Sequence, residues 1–252
     1  MKPVIAALLF AAGLAGTASA DEVSIGLTTE SIDVDADFSG AQIVLFGVIA
    51  DADEAAPSGD IIAVVRGPEM PFTVRRIEKT GFFWTAGETF SIDGAPGLYL
   101  TSASRPIEEF APASLREELH LGADAIGVSK RIAGHADARD LEQAAAGFID
   151  AERRSGRYRD AAGEVRFFEN GLFSIDVDLP PNTPVGDYAV DVFLIRDGAV
   201  VAADTAAMSV RKVGLERRIY ELAQTQPLGY GVVCVAMSLF AGWLGAAAFR
   251  KP

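Results

Sequence analysis

EVRFFENGLFSIDVDLPPNTPVGDYAVDVFLIRDGAVVAADTAAMSV, running from Glu164 to Val210, is the stretch that decides the fold. Glu169-Asn170-Gly171 and Arg196-Asp197-Gly198 are hairpin signals, because Asn-Gly and Asp-Gly pairs tolerate the positive φ that two-residue turns demand. Between LPPNTPVGD and RDG, the run from Tyr188 to Ile195 alternates as a half-buried strand does. A tyrosine entering a strand just after such a corner resembles the tyrosine corner of immunoglobulin-like sandwiches. The cysteine pair of that fold is absent: Cys234 is the single cysteine and lies in an apolar run.

Upstream the chain keeps the same character. EVSIGL, SIDVD, AQIVLFGVIA, DIIAVVRG, FTVRRIEK, ETFSID and GLYLTSAS are short, β-branched runs split by Gly, Pro and Asp. Two helical segments interrupt them. In the first, Ser114 and Glu117 form a capping box ahead of Leu115 and Leu119, with Gly122 as the stop. In the second, Asp137, Asp140 and Glu142 open a helix with Leu141, Ala145 and Phe148 on its apolar face. Arg153 and Arg154 complement its C-terminal dipole, and Gly156 ends it. The expected fold class is mainly β. An immunoglobulin-like sandwich over residues 21–212 carries a short helical insertion at about 106–158, and one C-terminal transmembrane helix follows.

The pentapeptide SIDVD occurs at Ser31–Asp35 and again at Ser174–Asp178. With Asp37, the first copy imitates the opening of a calcium loop. Such a loop requires Gly at its sixth position and Glu at its twelfth, where this chain has Phe38 and Val44. The strand reading is the better one. Ile32, Val34, Ile175 and Val177 point to a core and the aspartates to water, as in an antiparallel strand with one wet face.

Both ends are apolar. Residues 1–20 have a Lys2 n-region, an apolar core and Ala18-Ser19-Ala20, the pattern of a secretory signal peptide cut before Asp21. Residues 228–249 hold no charge, and at 1.5 Å per residue they make about 33 Å of helix, enough for a bilayer. Arg250 and Lys251 follow within the 250–252 tail, as the positive-inside rule expects of a cytoplasmic end. The expectation is an inner-membrane, single-pass protein with its N-terminal domain in the periplasm. Leu215, Ile219 and Leu222 give residues 213–227 the face of a juxtamembrane helix. Ser238, Gly242 and Ala246 recur every four residues as a stripe suited to helix packing.

Between Asp21 and Glu221, 19 Lys and Arg stand against 35 Asp and Glu, a net of −16. A domain so acidic repels phosphate backbones, which argues against nucleic acid as a partner. No nucleophile elbow, zinc motif or Walker loop occurs, and His120 and His135 have no partner at metal-ligand spacing. No cofactor or metal is therefore expected. The residues that suggest chemistry are arginines in turns: Arg66, Arg75, Arg76 and Arg105. Their forked guanidinium groups could hold a small oxyanion; the plainer alternative is ion pairing with the abundant Asp and Glu.

DFSGAQIVLFGVI (37–49), Ile62–Pro68, TVRRIEKTGFFW (73–84), LYLTSASRP (98–106) and YELAQTQPLGYG (220–231) together resemble a family of single-pass membrane proteins from alphaproteobacteria with no established activity. Ile77 stands where that family's pattern has a lysine. Members of that family tend to be encoded beside permeases of the sulfite/sulfonate-exporter type. The resemblance therefore implies an accessory role near an inner-membrane permease or another envelope protein, and it supplies no catalytic residue. A non-enzymatic accessory or interaction subunit is the leading expectation. A periplasmic oxyanion-binding protein and a periplasmic hydrolase assembled from distant residues are the alternatives.

Overall fold

The computed structural model describes residues 23–50, 59–80, 82–133, 137–213, 223–224 and 226–248. The leader, His135, the tail and most of the juxtamembrane segment lie outside these residues.

Thirteen strands form three sheets among the described residues. β1 (Val23–Leu27), β3 (Ala41–Ile49), β11 (Leu172–Leu179) and β10 (Val165–Phe167) make a four-stranded sheet in the order β1-β3-β11-β10. The six-stranded sheet runs β2-β13-β12-β4-β7-β9, from β2 (Ser31–Val34), β13 (Ala199–Lys212), β12 (Gly186–Arg196), β4 (Asp60–Arg66), β7 (Tyr99–Ala103) and β9 (Tyr158–Arg159). Alternation puts Ile43 and Leu45 of β3, Phe173, Ile175 and Val177 of β11, and Val190 and Val192 of β12 in one core between these sheets. Gly47 lies opposite Phe173; a Cβ there would come within 2.5 Å of the ring and 2.8 Å of the Ser24 carbonyl oxygen. The missing side chain is what lets the phenyl ring lie down.

The decisive turns form as their residues dictate. Asp197 (φ 52°) and Gly198 (φ 77°) are both left-handed, the requirement of a tight hairpin, and join β12 to β13. Tyr188 is buried, and its hydroxyl donates to the Pro184 carbonyl at 2.6 Å, closing the corner onto its own strand. Both SIDVD copies are strands with Ile32, Ile175 and Val177 buried. The first copy corrects the antiparallel expectation: β2 pairs in parallel with β13, Ser31 opposite Ser209.

β4 departs from simple alternation. Ile61 to Val65 are buried without a break, because the strand has a core on each face. Ile61, Ala63 and Val65 enter the sandwich core; Ile62 and Val64 enter a second. That second core lies under a layer that reading the chain as one sandwich did not anticipate. FTVRRIEK and ETFSID leave the sandwich to form β5 (Glu69–Thr80) and β6 (Phe83–Pro96), a long hairpin that joins β8 (Ile132–Ala133) in a three-stranded sheet. α3 (Ala138–Ser155) packs on β5, and α1 (Ile107–Phe110) and α2 (Ala113–Leu119) add side chains to the same second core. Phe148 of α3 meets Phe72 edge-on at 4.9 Å and Tyr158 at 5.8 Å.

Capping matches the sequence in α3 and not in α2. Asp137 precedes α3 in extended conformation; Gly156 follows it at φ 79°, its N–H on the Arg153 carbonyl. In α2 the cap is Pro112, so Ser114 lies inside the helix and forms no capping box. The stop is His120, left-handed at φ 54°, two residues before Gly122. Proline's fixed φ suits a helix entry and starts this one early. α4 (Pro227–Ala248) is the apolar C-terminal helix, long enough and apolar enough to cross a membrane.

Candidate functional site

The four arginines singled out by sequence are not brought together. Arg66, at the end of β4, faces the second layer, where it pairs with Asp191 of β12 and donates to the Leu119 carbonyl at 2.8 Å. It thereby fastens the end of α2 to the six-stranded sheet. Arg76 on β5 reaches Asp140 at 2.6 Å, in the first turn of α3, with its guanidinium 5.9 Å from the Phe90 ring centre. Arg105 forks onto Asp60, Nε and Nη2 each at 2.7 Å, and lies 5.4 Å from the Phe110 ring centre. That fork holds the Asp60 carboxyl below its ordinary pKa. Arg75 is exposed on the hairpin, its Nε 3.4 Å from Thr89 Oγ1. Three of the four act as ties between elements, and no common point for a small anion is formed.

A cleft of about 690 Å³ opens between α1, α2, the Leu121–Ala125 segment and the end of α3. Its charges were not legible as a set in the sequence. Arg153 donates to both carboxylate oxygens of Asp124, at 3.0 and 2.8 Å, and to Asp160 at 2.9 Å. Asp160 also accepts from the Ala123 N–H at 3.1 Å and from Thr101 Oγ1 at 3.2 Å. The hydrogen bond to Asp124 raises the Arg153 pKa, so the guanidinium is locked in its charged form. Arg116 lies 3.5 Å from Glu108. These groups neutralise one another and draw the insertion onto the sheet, which is the work of a structural network. The only signal in the sequence was Arg153 in the last turn of α3, where it reads as a partner of the helix dipole.

Two phenols complete the frame. Tyr99 is fully buried; its hydroxyl donates to the His120 carbonyl and accepts from the Gly122 N–H at 3.0 Å. Tyr158 donates to the Pro96 carbonyl at 2.7 Å. Burial pushes both hydroxyl pKa values up. His120 Nδ1 is 2.7 Å from the Ala125 carbonyl oxygen. Among the described residues no group of three or more His, Cys, Asp or Glu is placed to hold a metal.

What the surface offers instead is apolar. On the outer face of the four-stranded sheet Val48 lies directly opposite Leu172, and Phe46 is one step along, its ring 3.1 Å from where a Cβ on Gly26 would be. All three are exposed. A second apolar group, Ile77, Phe82, Phe83 and Trp84, stands at the tip of the β5–β6 hairpin. In α4, Ser238 bonds back to the Cys234 carbonyl at 2.8 Å. Gly242 shares that face by its four-residue spacing; the Ala246 side chain lies outside the described residues.

Comparison with known proteins adds little to this geometry. The sporulation control protein Spo0M of Bacillus subtilis shares 12% identity over 82% of this chain, with a TM-score of 0.27. This chain covers 56% of its length, little more than half. AggA, the major subunit of aggregative adherence fimbriae type I of Escherichia coli, shares 13% identity over 76% of this chain and 93% of its own, with a TM-score of 0.22. Likenesses this distant bear on neither fold nor function. No curated protein matches the sequence. The family comparison is of a different order, and it agrees with the apolar helix α4: residues 22–251 match the family described as "Putative transmembrane protein (Alph_Pro_TM)", and the chain belongs to it.

Proposed function

We propose that the protein is a non-enzymatic docking subunit: an exported, membrane-tethered β domain that binds an integral membrane partner through the outer face of its four-stranded sheet. The observation that carries this reading is the contiguous exposed patch of Phe46, Val48 and Leu172. A regular sheet face of this kind normally shows polar side chains to water, and exposed apolar patches mark interaction sites. The charged cleft, by contrast, is closed upon itself by the Arg153 network.

Further support comes from topology. The strand order β1-β3-β11-β10 facing β13-β12-β4 supports an immunoglobulin-like reading, in which these would be the A-B-E-D and G-F-C strands and Tyr188 would open the F strand. Such sandwiches are widely used as adhesive modules. The signal-like leader and the Arg250-Lys251 tail favour a periplasmic domain on an inner-membrane span. The resemblance described above points to a permease of the sulfite-exporter type as the partner.

Val48→Lys and Leu172→Lys test the proposal. Co-expressed with a permease of the sulfite-exporter type, the wild-type chain is expected to co-purify in detergent, and each variant to lose the permease while keeping its thermal unfolding midpoint. Equal recovery of the permease with wild type and both variants would sink the proposal.

A further inference from the structure

The β5–β6 hairpin ends in a group of side chains that a soluble domain does not normally show to water. Phe82 is 98% exposed, Phe83 76%, Trp84 70% and Ile77 67%. β5 contributes 12 residues and β6 14, and only the base of the ribbon is covered: Phe72, Val74, Phe90 and Ile92 pack into the second core. Beyond them the exposed face of β5 presents Arg75, Ile77 and Lys79 in alternation. Lys79 is paired across the ribbon with Trp84, its Nζ 5.9 Å from the indole centre.

The chemistry of this tip is that of a bilayer interface. Trp and Phe rings settle at the headgroup level, and Lys and Arg stems lie along apolar surface while their charges reach the phosphates. Between Phe72 and Gly87, Arg75 and Lys79 stand against Glu78 once Arg76 is neutralised by Asp140, a local charge of +1 in a domain of −16. An anionic lipid surface repels most of this domain and attracts this end, which orients the approach.

Reach is not limiting. The hairpin is inserted between Arg66 of β4 and Tyr99 of β7, which are paired at the end of the sheet where Gly186 meets Val210. β13 leaves for the membrane from that same end. Fourteen residues, 213–226, separate Lys212 from Pro227. Extended, they span up to about 48 Å, against about 40 Å for the length of β5. An extended tether lets the hairpin point straight at the bilayer that holds α4; wound as the helix expected of residues 213–227, it spans about 21 Å and brings the hairpin down inclined.

From these observations we infer that the Phe82-Phe83-Trp84 tip is a second membrane contact of this chain, entering the interfacial region of the bilayer and drawn there by anionic headgroups through Arg75 and Lys79. It uses a different surface from the proposed docking face, so either can fail without the other. The two tryptophans, Trp84 and Trp243, allow a direct test. Full-length Trp243→Phe protein, reconstituted in phosphatidylcholine vesicles with and without phosphatidylglycerol, leaves Trp84 as the sole emitter. The expected result is a blue-shifted Trp84 emission, quenched by lipids brominated near the headgroup. Phosphatidylglycerol should strengthen the quenching, and Lys79→Glu or Arg75→Glu should weaken it at unchanged circular dichroism. Water-like emission with no quenching in either lipid would overturn the inference. So would a blue shift that appears only when a membrane protein partner is co-reconstituted, since the tip would then be a protein contact.

Discussion

Tyr99→Phe is the perturbation that most directly probes how the helical insertion is held to the sheet. The change keeps the ring in the second core and removes one hydroxyl. That hydroxyl serves two backbone groups, the His120 carbonyl and the Gly122 N–H. Each group left without a partner costs about 1–3 kcal/mol when buried; both residues are half-buried, so the lower part of that range applies and the pair totals about 2–4 kcal/mol. For a domain of this size that corresponds to a fall in Tm of about 4–16 °C, at about 2–4 °C per kcal/mol. Tyr188→Phe is the internal control, because its hydroxyl serves the Pro184 carbonyl alone. Its expected cost is about 1 kcal/mol. Both are measured by urea unfolding of the full chain in detergent, followed by circular dichroism, with amide exchange read over Leu121–Ile126. Faster exchange confined to that segment is the expected local signature. If Tyr99→Phe costs no more than Tyr188→Phe, or exchange rises equally in both sheets, the hydroxyl is not what anchors the insertion.

Three further outcomes follow from the geometry. Glu152 is 5% exposed and forked by Arg157 at 2.6 and 2.7 Å. Arg157→Met should therefore cost about 3–5 kcal/mol in urea unfolding, and adding Glu152→Gln should recover most of it. Gly47→Ala pushes a Cβ against Phe173 and the Ser24 carbonyl, and the expected loss is about 1–3 kcal/mol by the same assay. Tyr99, Tyr158 and Tyr188 are all raised in pKa by burial, so their neutral forms stabilise the fold. Their contribution is complete below the unfolded value of about 10 and is lost as pH climbs through the folded values. The unfolding midpoint should fall on the alkaline side, less steeply in Tyr99→Phe.

Periodicity and turn chemistry carried most of the fold. The hairpin at Asp197-Gly198, the corner at Tyr188 and the ending of α3 at Gly156 are local, and each was visible because the residue type is required by its own backbone. What was missed was non-local. DIIAVVRG reads as a short apolar run, and nothing in it tells that Ile62 and Val64 face a second core while Ala63 and Val65 face the first. The first SIDVD copy finds its partner strand 178 residues away, which hides its parallel pairing. Arg66 meets Asp191 across 125 residues and Arg105 meets Asp60 across 45, so spacing could not show that these arginines were already engaged. Thr80-Gly81-Phe82-Phe83-Trp84 is plain in the sequence. Its exposure is not, because an apolar run at a hairpin end looks like core until the layer around it is placed.

The parallel pairing of β2 with β13 also sets an order of events. The earliest strands of the domain hydrogen-bond to the last: the Ile25 N–H reaches Asp204, and Ser31 lies opposite Ser209. During synthesis, which runs from the N-terminus, this seam stays open until β13 has emerged. Only 14 residues then separate β13 from α4, about one to three seconds of chain growth at 5–20 residues per second. Completion of this seam and synthesis of the apolar helix are therefore nearly simultaneous. A truncation placed anywhere before Lys212 would leave an unzipped sheet edge as well as remove the apolar helix.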